Sequence, residues 1–275
     1  MSSSVDGKPV DEKEFVSAIA RAFAVLEAFD QDHVSMTLSA VAARTGLSPA
    51  TVRRCLYTLS VLGYIRQNGR QFTLGARILA LSSSYLRSNQ IEEFIVPELQ
   101  QLVDVFGDAA SVAVLDDAHV FYLAHVSRQN AVRPVASVGV RYPAHATSLG
   151  KVLLAFASAD IQNRYLARAP FERLTDRTIT EGSELVQVLK TVKRDGYALA
   201  IDELDYGIAS LAVPIHDADG NVVAAINSSG YSGRQTGEML VEKRLARLQQ
   251  CARNVSSKLA RYPNLVQSAL RPPHL

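Results

Sequence analysis

Apolar positions along this chain recur with two periods, and the change from one to the other marks its organisation. Phe15, Ile19, Phe23 and Leu26 fall at three- and four-residue steps, which predicts a core-facing helix over Phe15–Phe29. Leu38, Val41 and Ala42 predict a second helix that Thr37 can cap and Gly46 can stop. A third begins at Ser48-Pro49, a capping residue followed by a proline at the first helical position, where a missing N–H is harmless. Val52, Cys55, Leu56 and Leu59 form its inward stripe, so Ala50, Thr51, Arg54, Tyr57 and Thr58 face outward with Arg53 on the flank. Two short β-prone runs, Tyr64–Asn68 and Arg70–Leu74, then flank Asn68-Gly69 and predict a hairpin with a type I′ turn.

Gly75–Asn89 reads as a further helix with Ile78, Leu79, Leu81, Tyr85 and Leu86 apolar, and Ile91–Phe106 as another that ends at Gly107. Beyond Gly107 the period shortens to two. Ser111–Leu115 and Val120–Val126 predict a hairpin about Asp116-Asp117, and a further strand is expected over Val135–Val140. Helices over Ser148–Phe156 and Ser183–Arg194 follow, then strands at Tyr197–Ile201, Ile208–Ile215 and Val222–Ser228, and a last helix over Glu238–Ala260. Helices and strands interleaved in this way indicate an α/β sensor-type domain after an N-terminal helical one.

The 275 residues carry a net charge of only +2, yet no Asp or Glu occurs from His33 through Ile91, where seven arginines lie. Acids kept out of a basic stretch are the footprint of a polyanion binder. Helix, helix, turn, helix and basic hairpin is the layout of a winged helix-turn-helix, whose third helix enters the major groove. Thr51, Arg54, Tyr57 and Thr58, with Ser48 at the helix start, are the candidates for base edges and phosphates. Arg44, Arg53, Arg66 and Arg70 are candidates for phosphates alone.

No apolar run reaches the ~20 residues of a bilayer span, and the N-terminus has no apolar signal core, so a cytoplasmic protein is expected. Cys55 and Cys251 lie in apolar helical patterns without metal-ligand spacing and read as buried thiols.

The chain resembles the IclR family of bacterial transcription regulators from Phe15 to about Ala260. Three stretches carry the likeness: LSPATVRRCLYTLSVLGYI at Leu47–Ile65, PAHATSLGKVLLA at Pro143–Ala155, and GYALAIDELDYGIASLAVPI at Gly196–Ile215. The form Ser137–Gly150 is closest to the branch that answers protocatechuate and 4-hydroxybenzoate, from which the chain departs at Ala209, where that branch usually has Arg, and at Ala-Ile-Asp-Glu (200–203), where Asp-Gln-Glu is common. The resemblance implies an α+β protein of two domains. These are a winged helix-turn-helix over residues 1–74 and a GAF-like α/β effector-binding domain over 90–275, joined by a linker helix over 75–89. It also implies a pocket for a small carboxylate that includes Ser148, Leu149, Ala200, Ser210, Asn227 and Ser229.

Residue chemistry agrees with such a pocket. Free N–H groups at Thr147, Ser148 and Leu149 open a helix whose positive end suits an anion. Asn227 and Ser229 share one strand face, and Arg141 could supply charge. The expected partners are double-stranded operator DNA, the effector and a second copy of the chain, as a dimer or a dimer of dimers, with no membrane. A dimer is expected because one recognition helix reads only a few base pairs, and the helices over Gly75–Phe106 offer apolar faces either to a partner or to burial within one chain. An aromatic acid is the first expectation for the effector, and a small aliphatic acid such as glyoxylate or pyruvate the second. An α/β enzyme is the outlying reading: Leu149-Gly-Lys151 misses two requirements of a phosphate-binding loop, and no nucleophile elbow or metal-ligand pair occurs. No catalytic residue, cofactor or metal is expected.

Overall fold

The computed structural model describes residues 4–5, 8–9, 13–30, 32–88, 91–128, 136–234 and 236–261. They fall into two units, Met1–Leu86 and Arg87–Leu275.

In the first unit, short strands β1 (Ser4–Val5) and β2 (Lys8–Pro9) pair ahead of helix α1 (Ser17–Glu27), strand β3 (Ser35–Thr37) and helix α2 (Leu38–Thr45). Helix α3 (Pro49–Val61), strands β4 (Ile65–Asn68) and β5 (Gln71–Leu74), and helix α4 (Ile78–Ser88) follow. The helix ends form where side chains satisfy orphan N–H groups. Thr37 accepts from the Ala40 N–H at 3.2 Å, Ser48 from that of Thr51 at 3.3 Å, and Gly46 closes α2 at φ 68°. Val25, Phe29, Met36, Val41, Val52, Leu56, Leu59, Ile65 and Phe72 make the core. The wing is a three-stranded sheet of order β3-β5-β4, because β3 adds to the hairpin.

Three expectations change here. Most of the α1 face expected inside is exposed, with Ile19 56 % and Phe23 53 % accessible and Phe15 also open; of that face Leu26 packs partly against the core, and Val25 and the following Ala28 and Phe29 are buried. The hairpin loop is Gly69-Arg70 rather than Asn68-Gly69, and only Gly69 has positive φ (59°), the pattern of a II′ turn and not of I′. Cys55 is half-buried, since it flanks the stripe rather than lying within it.

The second unit begins with helices α5 (Ile91–Phe94) and α6 (Val96–Phe106), strands β6 (Ala109–Asp116), β7 (His119–Ser127) and β8 (Arg141–Pro143), and a 3-10 turn at Ala144–Ala146. Helices α7 (Ser148–Phe156), α8 (Ala159–Leu166) and α9 (Gly182–Asp195) precede strands β9 (Ala198–Ile201), β10 (Ile208–His216) and β11 (Val222–Tyr231), and helix α10 (Gly237–Leu259) ends the unit. The strands form one antiparallel sheet of order β8-β7-β6-β11-β10-β9. Helix α7 packs on one face; α6 and α10 pack on the other, which buries the inward stripe of α6 (Leu99, Leu102, Val103) within its own chain. Alternation sorts the side chains: Ala225 joins the cluster around α7, while Ser228 accepts a 2.8 Å hydrogen bond from Arg244 of α10.

No strand forms over residues 136–140, and Val135 lies outside the described residues. Gly139, at φ 89°, turns the chain there, and its N–H donates to Tyr122 O while Val140 O accepts from Tyr122 N–H, so the pairing strand starts only at Arg141. Helix α8 was not foreseen. Ser158 caps it through the Ile161 N–H, but its residues are mostly polar and only Tyr165 is buried, so it carries little apolar period.

Candidate functional site

On the first unit, α3 and the wing expose one donor-rich surface. Arg53, Arg54, Thr58, Arg66 and Arg70 are exposed and Tyr57 is 72 % accessible, whereas Val52, Leu56 and Leu59 hold the opposite face in the core. Thr51 is half-buried, its hydroxyl 2.9 Å from that of Ser48, so both serve the helix start as well as the surface. Arg54 and Arg53 make no ion pair among the described residues. Arg44 differs: its guanidinium donates to Ala28 O at 2.8 Å and pairs with Asp30, so it also ties α2 to the end of α1. His33 and the backbone N–H groups of Asp32 and His33 also bond the Asp30 carboxylate, which holds it below its usual pKa.

The second unit carries a half-open cavity of about 690 Å³ between the sheet and the chain entering α7. Two cross-strand rows form its floor. The strand registers place His125, Ser111 and Asn227 in one row, and Ser127, Ala109, Ser229, Ser210 and Ala200 in the next. The first row is bonded end to end: Ser111 Oγ lies 2.9 Å from His125 Nδ1, and Asn227 Oδ1 accepts from the Ser111 N–H at 3.0 Å. That leaves Asn227 two side-chain donors. His125 Nε2 is buried without a partner, and burial lowers the imidazole pKa, favouring the neutral ring. In the second row Ser210 Oγ meets Ser148 Oγ at 2.8 Å. Tyr122 and Tyr142, edge to face at 5.4 Å, give the cavity an aromatic wall, and burial raises both phenol pKa values.

Of the residues expected around an effector, Thr147, Ala200, Ser210, Asn227 and Ser229 line this cavity. Ser148 lies beneath Ser210 as its hydrogen-bond partner, fully buried and one layer back. Leu149 faces the apolar cluster instead, because the 3-10 turn closes tightly over the start of α7. Arg141 is not at the cavity: it is half exposed and pairs with Asp116 at 2.8 Å, across the hairpin end. His145 is packing, as its surroundings show. It stacks on Phe171 at 4.9 Å, and its ring nitrogens meet Tyr165 Oη at 3.1 Å and Glu172 O at 3.0 Å.

Two carboxylates reach the lining, and both are engaged. Asp108 pairs with Arg244, and Glu203 with Lys151 of α7 at 2.5 Å. Arg128, at the lining, enters no ion pair among the described residues. The pocket therefore offers hydroxyls, an amide, a neutral imidazole and aromatic surface, a set suited to a small polar molecule with an apolar body. Among the described residues no cluster of three His, Cys, Asp or Glu is placed to hold a metal. Burial pushes the Cys251 thiol up to about 12, so it remains protonated.

The description "Bacterial transcriptional regulator IclR C-terminal" matches residues 83–257, and "IclR helix-turn-helix domain" matches residues 18–69. The chain belongs to the IclR family. It is therefore a winged helix-turn-helix transcription regulator with an effector-binding domain, and not an enzyme. This IclR-family chain is 34 % identical to the Pca regulon regulatory protein of Pseudomonas putida over 249 residues, 90 % of this chain and 86 % of that one. It is 33 % identical to the p-hydroxybenzoate hydroxylase transcriptional activator of Acinetobacter baylyi over 245 residues, 87 % and 90 % of the two chains. The crystal structure of an IclR homolog from Microbacterium hydrocarbonoxydans complexed with 4-hydroxybenzoate shares 28 % identity and superposes with a TM-score of 0.73, over 88 % of this chain and 98 % of the other.

Sequence reasoning missed Ser111, Tyr122, His125 and Tyr142. The available signal was weak but real: a lone Ser at the head of Ser-Val-Ala-Val-Leu and a lone His inside Tyr-Leu-Ala-His-Val are polar interruptions on one face of apolar strands.

Proposed function

We propose that this regulator binds operator DNA as a dimer in the cytoplasm and senses an aromatic carboxylate of the hydroxybenzoate type. The observation that carries the effector reading is the half-open cavity, with a hydrogen-bonded polar floor beside the Tyr122–Tyr142 wall. A single aromatic ring with polar ends matches both surfaces, and the complexed Microbacterium homolog and the two named regulators support it. Thr147, Ala200, Ser210, Asn227 and Ser229 are the wall residues nearest this role, with Ser148 orienting Ser210.

The test is thermal unfolding of the full chain against 4-hydroxybenzoate, protocatechuate, benzoate, glyoxylate and pyruvate. A ligand at 100 times its dissociation constant is expected to add about 2.7 kcal/mol to native stability. A saturable shift with the hydroxylated benzoates supports the reading. A shift with pyruvate or glyoxylate alone reassigns the effector to the aliphatic acids.

Thr51, Arg54, Tyr57 and Thr58 are the proposed base-reading positions, with Ser48, Arg53, Arg66 and Arg70 on phosphates. Arg54→Ala is expected to lose about 1–3 kcal/mol on operator DNA and far less on random sequence, measured by fluorescence anisotropy. Equal losses on both would make Arg54 a phosphate contact. By linkage, effector and operator must change each other's affinity by one common factor, so equal effector binding with and without DNA would exclude the coupling.

Dimerisation is supported by apolar surface that the first unit leaves open. Phe15, Val16, Ile19 and Phe23 of the α1 region and Leu79 and Leu81 of α4 are all exposed. Sedimentation of the full chain is expected to give a dimer or a dimer of dimers, and Phe23→Glu to lower that mass. A monomer at micromolar concentration would remove this part of the proposal.

A further inference from the structure

We infer that the phenol of Tyr122 receives the ring hydroxyl of the effector and so selects hydroxylated over plain aromatic acids; the inference rests on the aromatic-acid reading of the cavity proposed above. Tyr122 is 6 % accessible and lines the cavity. Its Oη has no hydrogen-bond partner among the described residues. His125 Nε2 and Glu203 Oε2 are also unpaired but are sealed beneath the lining, whereas Tyr122 Oη keeps access to the cavity. A nearly buried polar atom left unpaired is costly, and a ligand oxygen within reach removes that cost. Burial, with Tyr142 beside it, pushes the phenol pKa up, so the group stays protonated and both donates and accepts.

The phenol is held in place before any ligand arrives. The Tyr122 N–H donates to Val140 O at 3.0 Å, and Tyr122 O accepts from the Gly139 N–H at 2.8 Å, so the chain ahead of β8 fixes both main-chain groups. The edge contact with Tyr142 at 5.4 Å fixes the ring. A side chain ordered in advance loses little freedom on binding. The acid end of the effector has a separate seat. The Ser148 and Leu149 N–H groups, at the positive end of α7, have no partner among the described residues, and Ser210 beside Ser148 lines the cavity. Tyr122 and Ser210 line the same cavity from β7 and β10, three strand intervals or roughly 14 Å apart. With the carboxylate at α7, the ring and its far substituent lie across the floor on the Tyr122 side.

Tyr122→Phe removes one oxygen and keeps the ring, and Tyr142→Phe does the same to the neighbouring phenol. Calorimetric titration of the full-length wild type and both variants with 4-hydroxybenzoate, benzoate and pyruvate reads the role of each oxygen. The wild type is expected to prefer 4-hydroxybenzoate to benzoate. Tyr122→Phe is expected to weaken 4-hydroxybenzoate about fivefold to hundredfold, the cost of leaving a buried hydroxyl unpaired, and to leave benzoate within about twofold, so that the preference is lost. Tyr142→Phe is expected to keep it. Equal losses for the two acids in Tyr122→Phe would mark a packing role and overturn the inference. So would a preference that survives Tyr122→Phe, or one that only Tyr142→Phe removes. In each of these cases the wild type still binds an aromatic acid, and the aromatic reading stands. A wild type that binds pyruvate and neither benzoate ends that reading, and the role of Tyr122 falls with it.

Discussion

Replacing Lys151 by methionine is expected to destabilise the second unit by about 3–5 kcal/mol at pH 7, the usual cost of stranding one member of a buried ion pair. Lys151 is 2 % accessible on a helix buried almost all round, and its ammonium donates to Glu203 at 2.5 Å and to Leu199 O at 3.1 Å. Methionine fills similar volume, so packing is largely kept and the charge alone is lost. Burial pushes the Lys151 pKa down and the Glu203 pKa up, and each group's attraction for the other opposes the shift. Without Lys151 the Glu203 carboxyl rises further. A carboxyl whose folded pKa exceeds its unfolded value stabilises the fold below the unfolded pKa and loses that contribution as pH rises through the folded one. The deficit of Lys151→Met should therefore shrink as pH falls from 7 through the raised Glu203 pKa. Urea unfolding at pH 7 and at lower pH checks the sign. Adding Glu203→Gln should recover part of the loss, since no charge is then stranded. A deficit below about 1 kcal/mol, unchanged by pH, would mean that water reaches the pair from the cavity and screens it.

What could be read from the chain divides along a physical line. Local chemistry was legible: the caps at Thr37 and Ser48 and the stop at Gly46 act within four residues, so sequence holds all the information they need. The two-residue period of β11 likewise put Asn227 and Ser229 on one face, and both line the cavity. What covers a face is not local. The apolar period over Phe15–Phe23 is sound as a helix signal, yet nothing in it says that the unit's own core leaves this face open. Arg44 reads as one of a basic set and Arg141 as a charge for the effector, and only the fold brings Asp30 against the first and Asp116 of β6 against the second. His125 and Ser111 touch only because two strands pair in one register, and no motif encodes that. Lys151 is the instructive case. Its neighbours in Ser-Leu-Gly-Lys-Val-Leu-Leu-Ala-Phe are nearly all apolar, so a lysine there needed a buried partner, but the partner's identity waited on the loop after β9.

Gly150→Ala is expected to lower the stability of the second unit by about 1–3 kcal/mol, although alanine is the better helix former by about 1 kcal/mol. Gly150 sits inside α7 without positive φ, so backbone freedom is not what it supplies. It supplies space. A Cβ there would lie 2.1 Å from Ala144 O, 2.4 Å from Ala144 Cα and 2.6 Å from Ala144 C, distances at which something must move. Every one of those atoms is backbone, so no flexible side chain can yield, and the 3-10 turn Ala144–Ala146 must lift from the helix. That turn is continuous with the cavity wall, because Ala146 and Thr147 line it and Thr147 Oγ1 holds the Gly150 N–H. The substitution should therefore reduce effector affinity along with stability, while operator contacts on the separate first unit stay intact in the absence of effector. Thermal melting and effector titration of the same sample measure both. An unchanged melting temperature would show that the turn can shift without cost, and the tight closure over α7 would then not be what keeps Ser148 and Leu149 out of the cavity.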